Sequence, residues 1–429
     1  MSPSIFLLDC KAQSYDWGKI GSSSKVAKFA SSSPGFTIDE SRPYAELWMG
    51  THPSGPSTLH QSDKTLESVL KANPQLLTPY FYDKYQGHLP FLFKVLSINK
   101  ALSIQAHPDK QLAEKLFRER PDIYKDDNHK PEMAIAITDF EALCGFRPLN
   151  EILDALNNWS ELRDLAGYEV VKNFQESVTG SKVEQGHSAL KTLYTAVLTA
   201  EASRVKEGLD RLIEKLKATG LVYQRPSIEE LLLRIHSQFP GDVGVFSLFF
   251  LNYVVLQPGQ AIFLAANEPH AYLSGDCVEC MAASDNVVRA GLTPKFKDVQ
   301  VLTQMLTYQA KSSADQLLSG VQYTDTRRSH LYDPPIDEFS VILTKLGQAG
   351  MKEQFRGVEG PSVLIVTDGA GVIQGEKVQG SDSEEPVVQV SEGNVVFIGA
   401  NTTYSIEAQS QHGMTIYTAF SVKPEKKEI

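Results

Sequence analysis

Cysteine is scarce, with four in 429 residues. So few exclude a disulfide scaffold and suit a reducing compartment, so a cytoplasmic protein is expected. Positive charge is not in excess either. Lys and Arg number 41 against 52 Asp and Glu, a formal net charge of −11. Nucleic-acid binding needs a basic face to neutralise phosphates and is therefore not expected. No apolar run reaches the roughly 18 residues of a membrane span. The nearest, residues 243–256, is broken by Ser247 and Asn252 and reads as buried strands. The opening MSPSIFLLDCKAQSYDWG has neither a basic n-region nor a small-residue cleavage site, so secretion is not expected. What is left is a globular chain, 42% hydrophobic and 22% charged, long enough for two or three domains. The expected partner is a small molecule, and nothing demands more than a monomer. In so acidic a chain, any local cluster of Lys and Arg is informative.

Up to about residue 150 the pattern is strands and turns. AELWMGTHPSGPS (45–57) is a strand running into a Gly/Pro/Ser loop; Trp48 and His52 lie in it, and a His beside a turn is ordinarily structural. LPFLFKVLSINKALSIQAHP (89–108) reads as two apolar strands joined by a turn at Asn99 and Lys100. Lys94 stands alone in the first run. It is either a side chain snorkelling to the sheet edge or a cation placed for an anionic substrate. After Asp109, the residues Leu112, Ala113, Leu116 and Phe117 recur at helical spacing. From Pro148 to about Pro240 the period is helical throughout, with stripes such as Val205, Leu209, Leu212 and Leu216. Ser227 and Glu230 have capping-box spacing before Leu231. This predicts an insert of four or more helices, in which His187 and His236 read as surface or core. Strands resume at Val243.

Candidate chemistry is concentrated in three separated segments. In ALSIQAHPDK (101–110), Gln105 and His107 are two apart on a strand, so an oxygen and an imidazole share one face. In DDNHKPEMAIAI (126–137), Pro131 keeps Lys130 extended and Glu132 opens an apolar strand beside His129. In LQPGQAIFLAANEPHAYL (256–273), His270 follows a turn. Gln105, His107, Glu132 and His270 form a borderline N/O ligand set that suits zinc or, less specifically, Mn, Fe or Co. The continuation to residue 299 holds Glu279, Asp285, Arg289, Lys295 and Lys297. Its Cys277-x-x-Cys280 would put two sulfurs on opposite strand faces with no second pair nearby, which reads as buried cysteines rather than zinc or redox chemistry.

VSEGNVVFIGANTTYSI (390–406) aligns without a gap on LQPGQAIFLAANEPHAY (256–272), matching Gly393 to Gly259, Phe397 to Phe263 and Asn401 to Asn267. Both copies read turn, strand, turn, strand, the rhythm of a double-sheet jelly roll such as a cupin. Where the first copy has His270 the second has Tyr404, so the second barrel is expected to be structural. The expected fold class is mainly β with an α-helical insert: two cupin-like jelly-roll β-barrels plus a helical domain. The division is 1–149 with 241–310 for the catalytic barrel, 150–240 for the helices, and 311–429 for a C-terminal barrel without a metal site.

LSIQAHPDK, NHKPEMAIAI, CGFRP, LAANEPHAYLSGDCVECMAASDNVVRAGLTPKF and YDPP, with YDWGK and AELWMGTHP, closely resemble type I phosphomannose isomerases. The resemblance spans the chain and is weaker in the helical insert. It implies one zinc ion per chain on Gln105, His107, Glu132 and His270. It also implies interconversion of mannose 6-phosphate and fructose 6-phosphate, feeding GDP-mannose synthesis. Aldose–ketose isomerisation moves a proton between C2 and C1 through a cis-enediol and needs a base near neutral pH. Glu279 and Asp285 are candidates for it. Lys130 and His129 are candidates for proton shuttling or ring opening. Arg289 suits an oxyanion or a phosphate, and Lys94, Lys100, Ser103 and Lys295 are candidate phosphate contacts. An oxygen-using metalloenzyme or a non-catalytic sugar-binding module are the other classes open to an N/O cupin site. The oxygenase needs no phosphate-binding cations, whereas Lys94, Lys130, Arg289 and Lys295 argue for a phosphorylated substrate, and a binder would tolerate loss of Glu279 or Arg289.

Overall fold

The computed structural model describes residues 3–180, 183–324, 326–376 and 386–424, without the side chains of 183–185. The chain builds two large antiparallel sheets, each bent into a barrel-like unit, and a helical region. In the first unit, one layer runs in the spatial order Glu46–Met49, Phe91–Ile98, His270–Ala282, Glu132–Ala136, Ala261–Leu264. The other runs Leu251–Leu256, Phe140–Phe146, His270–Ala282, Ile104–Ala106, Val288–Gly291. The 13-residue strand His270–Ala282 belongs to both layers. It crosses between them at Gly275, where φ is 110° and a β-carbon would lie 2.4 Å from the Asp139 carbonyl. Only glycine fits so close an approach.

Strand alternation then sorts the side chains. Directly opposed residues share a face, and the register pairs Trp48 with Lys94, Lys94 with Glu279, and Met281 and Leu264 with Glu132. All of these point into the barrel. Their neighbours Phe93, Val95, Met133, Ile135, Val278 and Cys280 face outward and share a core with Val341, Leu343, Val363, Phe397 and Tyr417 of the C-terminal unit. Buried on both faces, such strands read as continuous apolar runs. In the second layer Ile104, Ala106, Ala271, Val288 and Ala290 face a core shared with the helices. Gln105, His270 and Arg289 are therefore left on the inner face.

The helical insert leaves and re-enters between two hydrogen-bonded strands, Phe140–Phe146 and Leu251–Leu256. Its helices are Leu149–Asn158, Ser160–Ala166, Tyr168–Thr179, Val183–Leu198, Ala202–Ala218 and Ile228–Gln238. Two expectations are corrected. Val243–Phe249 is 3-10 helix, started by the Asp242 side chain on the Gly244 amide, and strand begins only at Leu251. Ser227 does cap its helix, accepting from the Glu230 amide, but the Glu230 carboxylate turns to Arg234 and Arg225. The reciprocal half of a capping box is thus replaced by ion pairs.

The internal repeat is real in backbone terms. Gly259 and Gly393 have φ of 94° and 92°, and Asn267 and Asn401 have φ of 62° and 57°. Asparagine tolerates this left-handed conformation better than other residues with a side chain. Tyr404 stacks on Phe355 with centroids 5.0 Å apart, so aromatic packing occupies the place that holds an imidazole in the first unit. Sequence order is broken at both ends: Ile5–Asp9 pairs with Val395–Ile398, so it and the Thr58–Leu59 strand paired to it lie in the C-terminal sheet, while Leu317–Leu318 pairs with Ala261–Leu264 in the first.

Candidate metal centre and acid–base cluster

His107 is carried just beyond the strand Ile104–Ala106, Glu132 opens Glu132–Ala136, and His270 opens His270–Ala282. These are the positions at which a barrel strand presents side chains to the mouth. The three are 0%, 2% and 1% exposed. One ligand atom from each lies within 4.8 Å of the others, the single such cluster of His, Cys, Asp or Glu among the described residues. His107 Nε2 is 3.3 Å from Glu132 Oε1, and His270 Nε2 is 3.5 Å from Glu132 Oε2. The other nitrogen of each ring is engaged elsewhere. His107 Nδ1 donates to the Asn286 carbonyl at 2.7 Å, and His270 Nδ1 to the Glu268 carbonyl at 3.1 Å. Both Nε2 atoms and Glu132 Oε2 are buried without a hydrogen-bond partner. Leaving three polar atoms unsatisfied is costly, and their convergence is what a metal ion requires. Gln105 is opposite His270 on one side and Arg289 on the other. Its side chain therefore rises beside the cluster.

Burial drives the His107 imidazole down to about 4, so it is neutral at physiological pH. Burial also pushes the Glu132 carboxyl up, but His107 and Lys130 outweigh it and hold the group well below the usual carboxylate range. Lys130 Nζ is 3.5 Å from Glu132.

A second polar cluster adjoins the first. Lys94 is 6% exposed and does not snorkel; its ammonium lies 3.2 Å from Glu279 and 3.6 Å from Glu46, over the Trp48 ring. Trp48 in turn donates to Glu46 at 2.6 Å. Burial would deprotonate Lys94, but Glu46, Glu279 and Glu132 shift it the other way, and it stays charged. For Glu279, burial raises the carboxyl above its ordinary value, with Lys94 opposing and Glu132 and Glu46 adding to the rise. Asp285 at the rim is lowered by the hydrogen bond from His52, 3.5 Å away, and feels Lys130 and Lys94. His52 thus has a partner in the cluster.

The remaining expected residues are dispersed. Arg289 is partly buried, has no carboxylate partner among the described residues, and is lowered by burial. Lys100 lies 4.5 Å over the Phe239 ring at the edge of the helical insert. Lys295 is in an exposed loop, Ser103 is partly buried, and His129 bonds Glu338 of the C-terminal unit at 2.5 Å. Cys277 faces the barrel interior and Cys280 the opposite core, and all four cysteines are unpaired. Sequence reasoning passed over Glu46 and Glu338. Glu46 had the same signal as Lys94, a lone charge in an apolar strand; Glu338, in a loop next to YDPP, had none.

Comparison with known proteins agrees with this geometry. Residues 5–149 match the family model for the catalytic domain of type I phosphomannose isomerase, 165–251 that for its helical insertion domain, and 329–375 that for its C-terminal region. The mannose-6-phosphate isomerase of Schizosaccharomyces pombe is 45% identical over 97% of this chain and 99% of its own. That of Saccharomyces cerevisiae is 45% identical over 98% and 99%. The structure of mannose 6-phosphate isomerase from Salmonella typhimurium bound to F6P and zinc superposes with a TM-score of 0.78, at 29% identity, covering 98% of this chain and all of that one. On sequence, fold and site together, the chain belongs to the type I phosphomannose isomerases.

Proposed function

We propose that the protein is a zinc-dependent aldose–ketose isomerase that interconverts mannose 6-phosphate and fructose 6-phosphate and feeds GDP-mannose synthesis. The observation that carries this is the set of unbonded, buried ligand atoms of His107, Glu132 and His270 beside the Glu279–Lys94 pair. Gln105 would supply the fourth ligand. Two imidazoles, a carboxylate and an amide oxygen fit zinc, and in both rings Nδ1 is engaged by a carbonyl and Nε2 is left free. Bound there, zinc supplies a Lewis acid that stabilises negative charge on substrate oxygens.

Charge supports an anionic substrate. The interior holds three carboxylates, Glu46, Glu132 and Glu279, and two ammonium groups, Lys94 and Lys130. Taken as ionised they sum to −1, and a divalent ion makes the sum +1. Arg289, without a carboxylate partner, adds a further cation for the enediolate or the phosphate. Lys100, Ser103 and Lys295 are assigned to the phosphate.

Glu279 is assigned the transfer of the proton from C2 to C1, because burial raises it towards neutral pH and Lys94 keeps it ionisable. Asp285 is the other candidate base. Lys130 and His129 are placed at ring opening, where a proton leaves the C1 hydroxyl and one reaches the ring oxygen. We assign the division 1–149 with 241–310, 150–240 and 311–429 to catalytic, helical and structural units. A cytoplasmic monomer acting on a small molecule, with no nucleic acid or membrane partner, completes the reading. Unpaired cysteines accord with that setting, and no helix among the described residues is long and apolar enough to cross a membrane.

The test is NMR of mannose 6-phosphate in deuterated buffer with the zinc-loaded protein. Fructose 6-phosphate should form, with deuterium entering C1 and, on reversal, C2. Glu279→Gln should lose exchange and Asp285→Asn should retain it. Absence of conversion by zinc-loaded protein overturns the function; retention of exchange in both variants moves the base elsewhere.

A further inference from the structure

We propose that Asn286 is a positioning residue of the metal centre: it fixes His107 in the ligating tautomer and ties that imidazole to the loop leading into Glu132. This rests on the reading of the cluster as a metal site. Asn286 lies between the strands His270–Ala282 and Val288–Gly291 and is 1% exposed. Its backbone carbonyl takes the His107 Nδ1 proton. Its side-chain amide donates to the Asp126 carbonyl at 2.7 Å, to the Asn128 carbonyl at 3.0 Å and to Asp126 Oδ1 at 3.2 Å. The Asp126 carboxylate closes the knot. It also accepts from Ser284 Oγ at 2.8 Å and from the amides of Asp285 at 2.7 Å and Asn128 at 2.9 Å.

One residue therefore links two ligand-bearing parts of the chain. Through its carbonyl it sets which nitrogen of His107 carries the proton. Through its amide it pins residues 126–128, from which only His129, Lys130 and Pro131 separate Glu132. The two imidazoles differ in this respect. His270 is held by a carbonyl two residues away, so its orientation is local. His107 is held by one 179 residues away, so its orientation depends on the tertiary fold. Partners of this kind raise ligand basicity and typically contribute about 10- to 100-fold in metal affinity.

The experiment is zinc competition with a chromophoric chelator on metal-free wild type and on Asn286→Ala, Asn286→Asp and Ser284→Ala, with the visible spectrum of the Co(II)-loaded forms. Asn286→Ala should bind zinc about 10- to 100-fold more weakly and shift the Co(II) bands. Asn286→Asp, which sets a second carboxylate against Asp126, should do the same, and Ser284→Ala should weaken binding only a few-fold. Added zinc should restore turnover of Asn286→Ala with an unchanged KM for mannose 6-phosphate, which a general folding defect would not allow. If Asn286→Ala does not fold, Asn286→Asp and Ser284→Ala decide the matter. Zinc affinity within twofold of wild type in the folded Asn286 variants overturns the role. Weakened zinc binding in a protein whose wild type turns over no sugar phosphate would instead overturn the proposed reaction and leave the positioning role standing.

Discussion

Lys94→Met is the most revealing single change in the barrel. The ammonium lies 3.2 Å from Glu279 and 3.6 Å from Glu46, all of them buried. At an effective dielectric of about 20, one such contact is roughly 5 kcal/mol of attraction. Part of it is regained by relaxation and by water entering the space, so a net loss of about 3 kcal/mol is expected. At 1.36 kcal/mol per pKa unit, that raises the Glu279 carboxyl by about 2 units. Glu279 already stands above its ordinary 4.5 because burial dominates. In Lys94→Met it should rise further, and the acid limb of kcat/KM should move up by about 2 units. Stability should follow. The unfolded chain ionises near 4.5, the folded protein already above it, and the folded variant is expected higher still. Between those values the native state holds the extra proton, so stability falls as pH rises. The assays are a pH–rate profile and urea unfolding at several pH values. A uniform loss of kcat/KM at every pH, with the acid limb unmoved, would refute the coupling and leave Lys94 as a substrate contact alone.

Three further outcomes follow from the geometry. Glu132→Gln should lower zinc affinity by at least 10-fold in chelator competition, since an amide is a weaker ligand and lacks the charge that balances the metal and Lys130. Glu141, 5% exposed, accepts from Arg234, Arg225, Tyr253 and Ser274 and joins the helical insert to the barrel. Glu141→Gln should cost about 2–3 kcal/mol in urea unfolding, because Arg234 keeps only Glu230. Burial raises Glu141, but Ser274 and Tyr253 lead the groups that bring it below 4.5. Its contribution is therefore complete above pH 4.5 and lost as pH falls through the depressed value. Burial raises the Glu338 carboxyl, but the bond from His129 leads the groups that bring it below its ordinary value, so His129→Ala should move the Glu338 NMR titration to higher pH; an unmoved titration would uncouple Glu338 from His129.

Periodicity made much of the fold legible. The helical insert, the strand–turn rhythm and the repeat were all readable, and the paired positive φ values at Gly259/Gly393 and Asn267/Asn401 give the repeat a physical basis. The His107–Glu132–His270 group was readable because polar residues at the ends of apolar strands have no packing reason to be there. Lys94 left two readings that only burial could separate. Val243–Phe249 misled because an apolar run has no strand signature of its own; the Asp242 cap decided for 3-10 helix. The Ile5–Asp9 strand in the C-terminal sheet, the Glu338–His129 bond and the Asn286–His107 bond join residues more than 120 positions apart. No local pattern encodes such pairings.

The most direct measurement of the metal-dependent isomerase is a coupled assay with mannose 6-phosphate on one preparation, taken before chelation, after exhaustive chelation, and after addition of one equivalent of zinc. Activity should vanish with the metal and return with it, in proportion to zinc bound at the His107–Glu132–His270 cluster. Full activity in verified metal-free protein would contradict the assignment of the site.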